Sequence, residues 1–237
     1  MSSLPERQVI SRRRARRAPA PTPVAGPPEI VRPPWGALLG LGVIVAMVVV
    51  AGWALGRVIV PQPAGKFAGC RTATVISPHS FAAVPPLCID RTKTYLAKVN
   101  TTAGEIDIAM PAADAPETVN NFVVLAVNGF YTGLTFHRVE SWVVQGGDPL
   151  GDGRGGPGYS LPAETANKTW TADAVGMARN PDGSINGSQF FILKTDWPLV
   201  GPGATAFNHF GTVLGGTQIL NTIKPGERIL SVAISVQ

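Results

Sequence analysis

Apolar and polar positions follow three different patterns along this chain of 237 residues. Residues 1–35 show no apolar period: Arg13, Arg14 and their neighbours are interleaved with eight prolines. Such a segment buries too little apolar surface to offset its ordering entropy, so a disordered tail is predicted. Gly36 to Gly56 is then a run of 21 residues without a charge. A helix over it spans roughly 30 Å, the thickness of a hydrocarbon core. Trp35 and Trp53 lie near its ends, where interfacial aromatics belong. The prediction is an uncleaved transmembrane helix over 36–57. The alternative is a cleaved signal peptide; against it, the run is long for an apolar signal core and no strong A-x-A site follows.

The third pattern begins near Thr94 and consists of short β-rich runs broken by glycine and proline. Tyr95–Asn100 and Glu105–Ala109 flank a Thr-Ala-Gly turn and read as a hairpin. A helix is expected to start at Asp114-Ala115-Pro116-Glu117, with Asp114 as cap, Pro116 in the first turn and Gly129 as the stop. Val119, Phe122, Val123 and Ala126 form its apolar face. Further strands are predicted over 135–139, 142–145, 174–178, 189–193, 210–214 and 229–236, and a short second helix over 217–223. Many short strands with two helices predict a mostly β fold, a closed barrel capped at its ends.

Charge changes the picture of the tail. Seven of the twenty basic and two of the fifteen acidic groups lie in residues 1–35, so residues 36–237 hold thirteen of each and are neutral. The basic character belongs to the tail, and no basic face interleaved with aromatics marks a nucleic-acid site. The arginines before the apolar run place the N-terminus in the cytoplasm and residues 61–237 outside. Ser11-Arg12-Arg13 and Phe67-Ala68-Gly69-Cys70 superficially match a twin-arginine signal and a lipobox, but neither abuts the apolar run. Cys70 and Cys88, both beyond the membrane run, could close a disulfide in an oxidising compartment, or be two unrelated thiols. The histidines at 79, 137 and 209 are scattered and no C-x2-C or H-x3-H spacing occurs, so no metal site is expected.

Candidate chemistry concentrates in Phe136-His137-Arg138-Val139, Val143-Val144-Gln145-Gly146-Gly147-Asp148 and Asn186–Leu193. These put one guanidinium and one primary amide on β-branched runs, and two aromatics on an apolar run after a glycine turn. Together they suggest a groove with an apolar floor and a few fixed hydrogen-bond donors, suited to binding and twisting a peptide. No serine sits in a nucleophile elbow, so a hydrolase is disfavoured. Gly151-Asp152-Gly153-Arg154-Gly155-Gly156 matches G-x-G-x-x-G, but Pro157 and Gly158 follow at once and no helix opens there. A loop of little bulk beside a groove is expected instead, and no cofactor.

Residues from about 95 to 237 resemble one whole cyclophilin domain. The pieces come in family order: the helix Ala115–Phe122, Gly129-Phe130-Tyr131, Phe136–Val139, Gln145–Pro149, Gly155–Tyr159, Met177-Ala178-Arg179, Gly187–Ile192 and Phe210-Gly211. The resemblance implies an eight-stranded antiparallel barrel capped by two helices, and cis/trans isomerisation of Xaa-Pro peptide bonds. It assigns Arg138 to the prolyl nitrogen and Gln145 to the substrate carbonyl. The backbone at Arg179 would grip the preceding residue. Val143, Phe191, Leu199 and Trp142 would line the proline pocket, with His137 beside them as a hydrogen-bonded support. Trp197 matches the tryptophan that contacts cyclosporin in sensitive members, so proline-containing polypeptides and cyclosporin-like inhibitors are the expected ligands.

Phe207 stands where the family has a histidine at the groove edge, and one further departure bears on this reading. Between Arg138 and the Gln-Gly-Gly the family usually has a Pro-Gly-aromatic turn, and Glu140-Ser141-Trp142 is one residue shorter. A deletion confined to the turn leaves Arg138 and Gln145 on the groove; a one-residue slip would swap alternate side chains between faces. The organisation expected is a basic tail over 1–35, an anchor over 36–57, a juxtamembrane linker over 58–93 and an isomerase domain over 94–237, assisting the folding of exported proteins. The competing function is a proline-peptide-binding chaperone or scaffold module with little catalysis.

Overall fold

Thr94–Thr101 (β3) alternates buried positions with half-buried or exposed ones along its length, and Gly104–Pro111 (β4) pairs with it in full antiparallel register from Thr94↔Pro111 to Thr101↔Gly104. Alternation of period two is what a strand with one face on a core requires. The computed structural model describes residues 66–71, 75–77, 79–164, 168–197 and 206–237. Before the hairpin come two short strands, Val75–Ser77 (β1) and Ser80–Phe81 (β2). After it follow the helix Pro116–Val127 (α1), then Thr135–Val139 (β5), Val143–Asp148 (β6), Ser160–Leu161 (β7), Ala174–Arg179 (β8) and Ile185–Leu193 (β9). His209–Gly215 (β10), the single turn Thr217–Leu220 (α2) and Ile229–Val236 (β11) complete the described chain. The expected transmembrane span over 36–57 and the tail before it lie outside the described residues. Among the described residues no helix is long and apolar enough to cross a membrane.

The main sheet runs β11-β3-β4-β10-β8-β9-β6-β5, with β7 added beside β9, and its pairs are antiparallel. The eight strands of this path agree with the expected number, but the expected closure needs correction. The outermost strands, β5 and β11, meet at one isolated bridge, Thr135↔Arg228. Hydrogen bonds around it include Ile229 N–H to Leu134 O at 2.8 Å and Phe136 N–H to Glu227 O at 2.9 Å. β11 pairs with β3 along its length, whereas β5 reaches β11 only where each strand begins, so the ladder stays open.

Helix α1 is buried at every position from Thr118 to Ala126, more than the apolar stripe predicts. One side rests on the sheet, where Phe122 stacks on Tyr131 and meets Phe190 edge-on. The polar positions Asn120 and Asn121 are buried because each is fully used. Asn121 donates to Gly187 O and accepts the Tyr159 hydroxyl, while Asn120 accepts from Cys88 N–H and donates to Pro86 O. The residues before β3 therefore lie against the helix as a strap. Asn128 donates to Cys70 O, Arg71 donates to Val127 O, and Phe81 is buried near the Phe130 ring. Cys70 and Cys88 are joined by a disulfide that closes this strap.

The start of α1 also differs from expectation. Ala115, not Asp114, occupies the cap position and contributes no side-chain bond, although Pro116 does open the helix. The free N–H groups of Glu117 and Thr118 are taken instead by the carboxylate of Glu164, at 2.9 and 2.8 Å. Asp114 pairs with Lys168 at 3.0 Å. A distant carboxylate competes successfully with the local one because it satisfies two orphan donors at once.

Two predictions follow from the strap and from a buried ring in β10. Opening the disulfide, by reduction or by Cys70→Ala with Cys88→Ala, should lower unfolding free energy by about 3 kcal/mol in urea titrations, the loop-closure value for a ring of this size. His209 is 9% exposed, its ring 4.9 Å from that of Trp170. Burial, with Lys168 adding to it and Asp114 opposing, holds its pKa below the ordinary histidine value. The unfolded chain therefore takes up the proton first, so stability is full above the ordinary pKa and falls as pH drops through it. His209→Gln should remove that part of the acid sensitivity. Equal loss of stability in both proteins between about pH 7.5 and 5.5 would contradict this assignment.

Candidate active site

The polar side of the site is set by a short turn. β5 and β6 are joined through Glu140, Ser141 and Trp142, and Glu140 N–H donates to Val143 O at 2.9 Å. Arg138 then lies opposite Gln145 and Val139 opposite Val144. Cross-strand partners project to one face, and Arg138 Nη1 donates to Gln145 Oε1 at 3.2 Å. The turn keeps both side chains on the groove, while the pairing shifts register on either side of Phe136. The replacement chemistry of the turn is Glu140: one carboxylate oxygen accepts from Arg138 Nε at 2.6 Å, the other from the Trp142 indole N–H at 2.7 Å. The guanidinium carbon lies 5.2 Å from the centre of the Trp142 ring. These bonds hold the Glu140 carboxyl below the usual range, the Arg138 bond first.

Gln145 is held in turn from behind. Its amide donates to Gln189 Oε1 at 2.9 Å, and the Gln189 amide donates to Gly155 O at 2.8 Å and Gly153 O at 3.1 Å. The glycine-rich loop is thus tied to the catalytic-looking amide by one side chain. Its other tie is Asp148, 1% exposed, whose carboxylate accepts the N–H groups of Leu150, Asp152 and Gly153. Gly147 makes this crossing possible: its φ is +83°, and a Cβ there would sit 2.4 Å from Ser188 O. The loop turns beside the groove, as its composition predicts, with Gly151, Asp152 and Gly153 on the wall.

The apolar floor is a small core of its own. Val143, Trp170, Ala174, Phe191 and Leu193 are buried together, and Trp142, Trp197 and Phe207 pack on them from the open side. Phe191 stands 5.3 Å from Trp170 and 5.6 Å from Phe207, ring centre to ring centre. The approach of Trp170 to Phe191 needs Gly176 beneath, where a Cβ would lie 2.6 Å from both rings. The resulting groove has a volume of about 750 Å³.

The structure brings His137, Arg138, Trp142, Val143, Gln145, Arg179, Phe191 and Trp197 to this one groove. Leu199 lies outside the described residues. His137 differs from its expected part as a hydrogen-bonded support: both ring nitrogens are shielded and have no hydrogen-bond partner among the described residues. Burial lowers its pKa, with Asp148 opposing and Arg138 reinforcing, so the ring is neutral at pH 7. Phe207 lines the groove as the resemblance implies, whereas Glu140, Gln189, Asp148 and Trp170 were not among the predicted site residues. Gln189 had a signal, its place between the glycine turn and Phe190-Phe191. Trp170 had none, since it sits on no strand and reaches the floor only through tertiary packing.

This geometry can be set beside known proteins. The family model described as cyclophilin type peptidyl-prolyl cis-trans isomerase/CLD matches residues 96–234. A peptidyl-prolyl cis-trans isomerase of Helicobacter pylori is 40% identical over 146 residues, covering 60% of this chain and 88% of the relative. Peptidyl-prolyl cis-trans isomerase B of Bacillus subtilis is 38% identical over 132 residues, covering 55% of this chain and 90% of that protein. Among solved structures, a cyclophilin type isomerase of Cryptosporidium parvum, determined in the presence of the dipeptide Ala-Pro, superposes with a TM-score of 0.54 at 26% identity, over 59% of this chain and 98% of its own. The chain belongs to the cyclophilin-type peptidyl-prolyl cis-trans isomerase family and is an enzyme of that activity.

Proposed function

We propose that the Arg138 guanidinium drives rotation about Xaa-Pro bonds by hydrogen-bonding the prolyl nitrogen as the bond twists. The barrier to rotation is about 18–20 kcal/mol because the C–N bond has partial double-bond character. Twisting breaks the conjugation and localises a lone pair on nitrogen, which then accepts a hydrogen bond that planar nitrogen does not. A donor placed there binds the twisted state better than either planar one, and only that difference accelerates the step. The observation that carries this reading is the state of the guanidinium. Nε is fixed by Glu140 and Nη1 by Gln145, while Nη2 has no partner among the described residues and remains for substrate. The proline ring would rest on Phe191, with Val143, Trp142 and His137 around it. Gln145 would hold the substrate carbonyl, and the backbone at Arg179 the residue before proline. No proton is transferred, which suits a neutral His137.

The same reading extends to cellular setting and ligands. The disulfide of the strap fits an oxidising compartment, and the uncharged run from Gly36 to Gly56 fits a membrane anchor with the isomerase domain outside and the tail in the cytoplasm. The clients would be exported or cell-envelope proteins whose proline isomerisation, tens of seconds or slower uncatalysed, limits folding. Trp197 on the groove wall makes cyclosporin-like inhibitors candidate ligands. A binding module with little turnover is favoured by one feature, the carboxylate of Glu140 on the catalytic guanidinium. A protease-coupled isomerisation assay on the full-length protein separates the two. Wild type should accelerate isomerisation, and Arg138→Ala should lose about a hundredfold in kcat/KM, the cost of removing one donor to a developing charge. Acceleration by neither, with proline peptides still bound, would favour the binding module.

A further inference from the structure

Among the described residues, the groove carries one positive charge with no carboxylate opposite it. Arg138 is paired with Glu140, and Asp152 on the wall is paired with Arg154 at 2.5 Å. Arg179, at the end of β8, forms no ion pair with a described residue; Nε and Nη2 both donate to Gly183 O, at 2.9 and 2.7 Å. The nearest acid along the chain, Asp182, is engaged by the N–H and hydroxyl of Ser184. The stretches 165–167 and 198–205, outside the described residues, contain no Asp or Glu.

An exposed arginine is commonly a solvated, wandering charge, and this one is not free to wander. Gly183 O belongs to a tight turn, closed by Gly183 N–H to Asn180 O at 2.9 Å and Asn180 N–H to Ser184 O at 2.8 Å. The guanidinium carbon lies 5.9 Å from the centre of the Phe207 ring, which itself stands 5.6 Å from Phe191. A fixed cation therefore stands two ring contacts from the floor on which the proline would rest. A residue next to proline has its Cα about 3.8 Å from the proline Cα, so its side chain leaves from beside this floor. Nη1 has no partner among the described residues.

We infer that Arg179 makes this groove select proline segments with a carboxylate side chain on a residue flanking the proline. The inference rests on the groove being the peptide site. An ion pair this exposed contributes modestly, so the selection is a preference of about threefold to fivefold over the neutral isostere. Because it is electrostatic and near solvent, it weakens at about 1 M salt.

The test uses the full-length protein and short peptides differing at one position, Glu, Gln or Lys immediately before or immediately after proline. Isomerisation rates and affinities are both measured. Wild type should favour Glu over Gln and Gln over Lys at one of the two positions. Arg179→Gln should bring the Glu/Gln ratio to one, Arg179→Lys should retain part of it, and Arg179→Glu should favour Lys. The ratio is taken within each variant, so a loss of folded fraction cancels. A wild-type ratio of one at both positions, or a preference that survives in Arg179→Gln, overturns the inference. Absence of isomerisation with the affinity ratio intact would sustain the charge selection while counting against catalysis by Arg138.

Discussion

The guanidinium of Arg138 is held by two neighbours at once, and the rest of the site is arranged to keep it so. A long, flexible side chain on the rim of an open groove has many rotamers, and a donor that samples them all stabilises no particular twisted state. Here Glu140 takes Nε and Gln145 takes Nη1, so the fork is fixed in its own plane. Gln145 is only as rigid as its support, which is Gln189, and Gln189 is anchored on the carbonyls of the glycine-rich loop. That loop in turn folds around the buried carboxylate of Asp148. The chain of support runs from a buried acid outward to the reacting group, and each link is a hydrogen bond.

Division of the apolar residues into two clusters follows the same logic. The larger cluster, around Phe122, Tyr131 and Phe190, holds the sheet to α1. The smaller one, around Trp170 and Phe191, lies on the other face of the sheet and has to leave one side open for a ligand. Adjacent residues of β9 serve the two clusters, Phe190 inward and Phe191 to the groove, which is the consequence of period-two alternation. The strap over α1 has a separate task. It covers a helix face that carries Asn120 in its middle and supplies the backbone groups that asparagine needs.

Much of this was legible in the sequence, because short-range patterns decide it. The hairpin of β3 and β4, the start of α1 at Pro116 and the runs of β5, β6 and β11 follow from alternation and turn residues alone. The pairing of Arg138 with Gln145 was legible only as a choice between two registers, since a turn shortened by one residue can absorb the loss or pass it on. Glu140 escaped notice because an acid in a turn is ordinarily a solvated charge, and its two bonds exist only once the hairpin forms. Glu164 at the start of α1 and Trp170 under Phe191 come from segments distant in sequence. The open seam between β5 and β11 depends on how far two non-adjacent strands run side by side, which no local pattern records.

The central claim is that Arg138 acts on the twisted bond rather than on the bound peptide in general. Exchange spectroscopy on a proline peptide at saturating concentration, with wild type and Arg138→Ala compared, measures affinity and the on-enzyme isomerisation rate separately. The account predicts that the exchange rate falls by about a hundredfold while affinity changes by no more than a few-fold. An exchange rate left intact, or a loss that falls wholly on affinity, would contradict it.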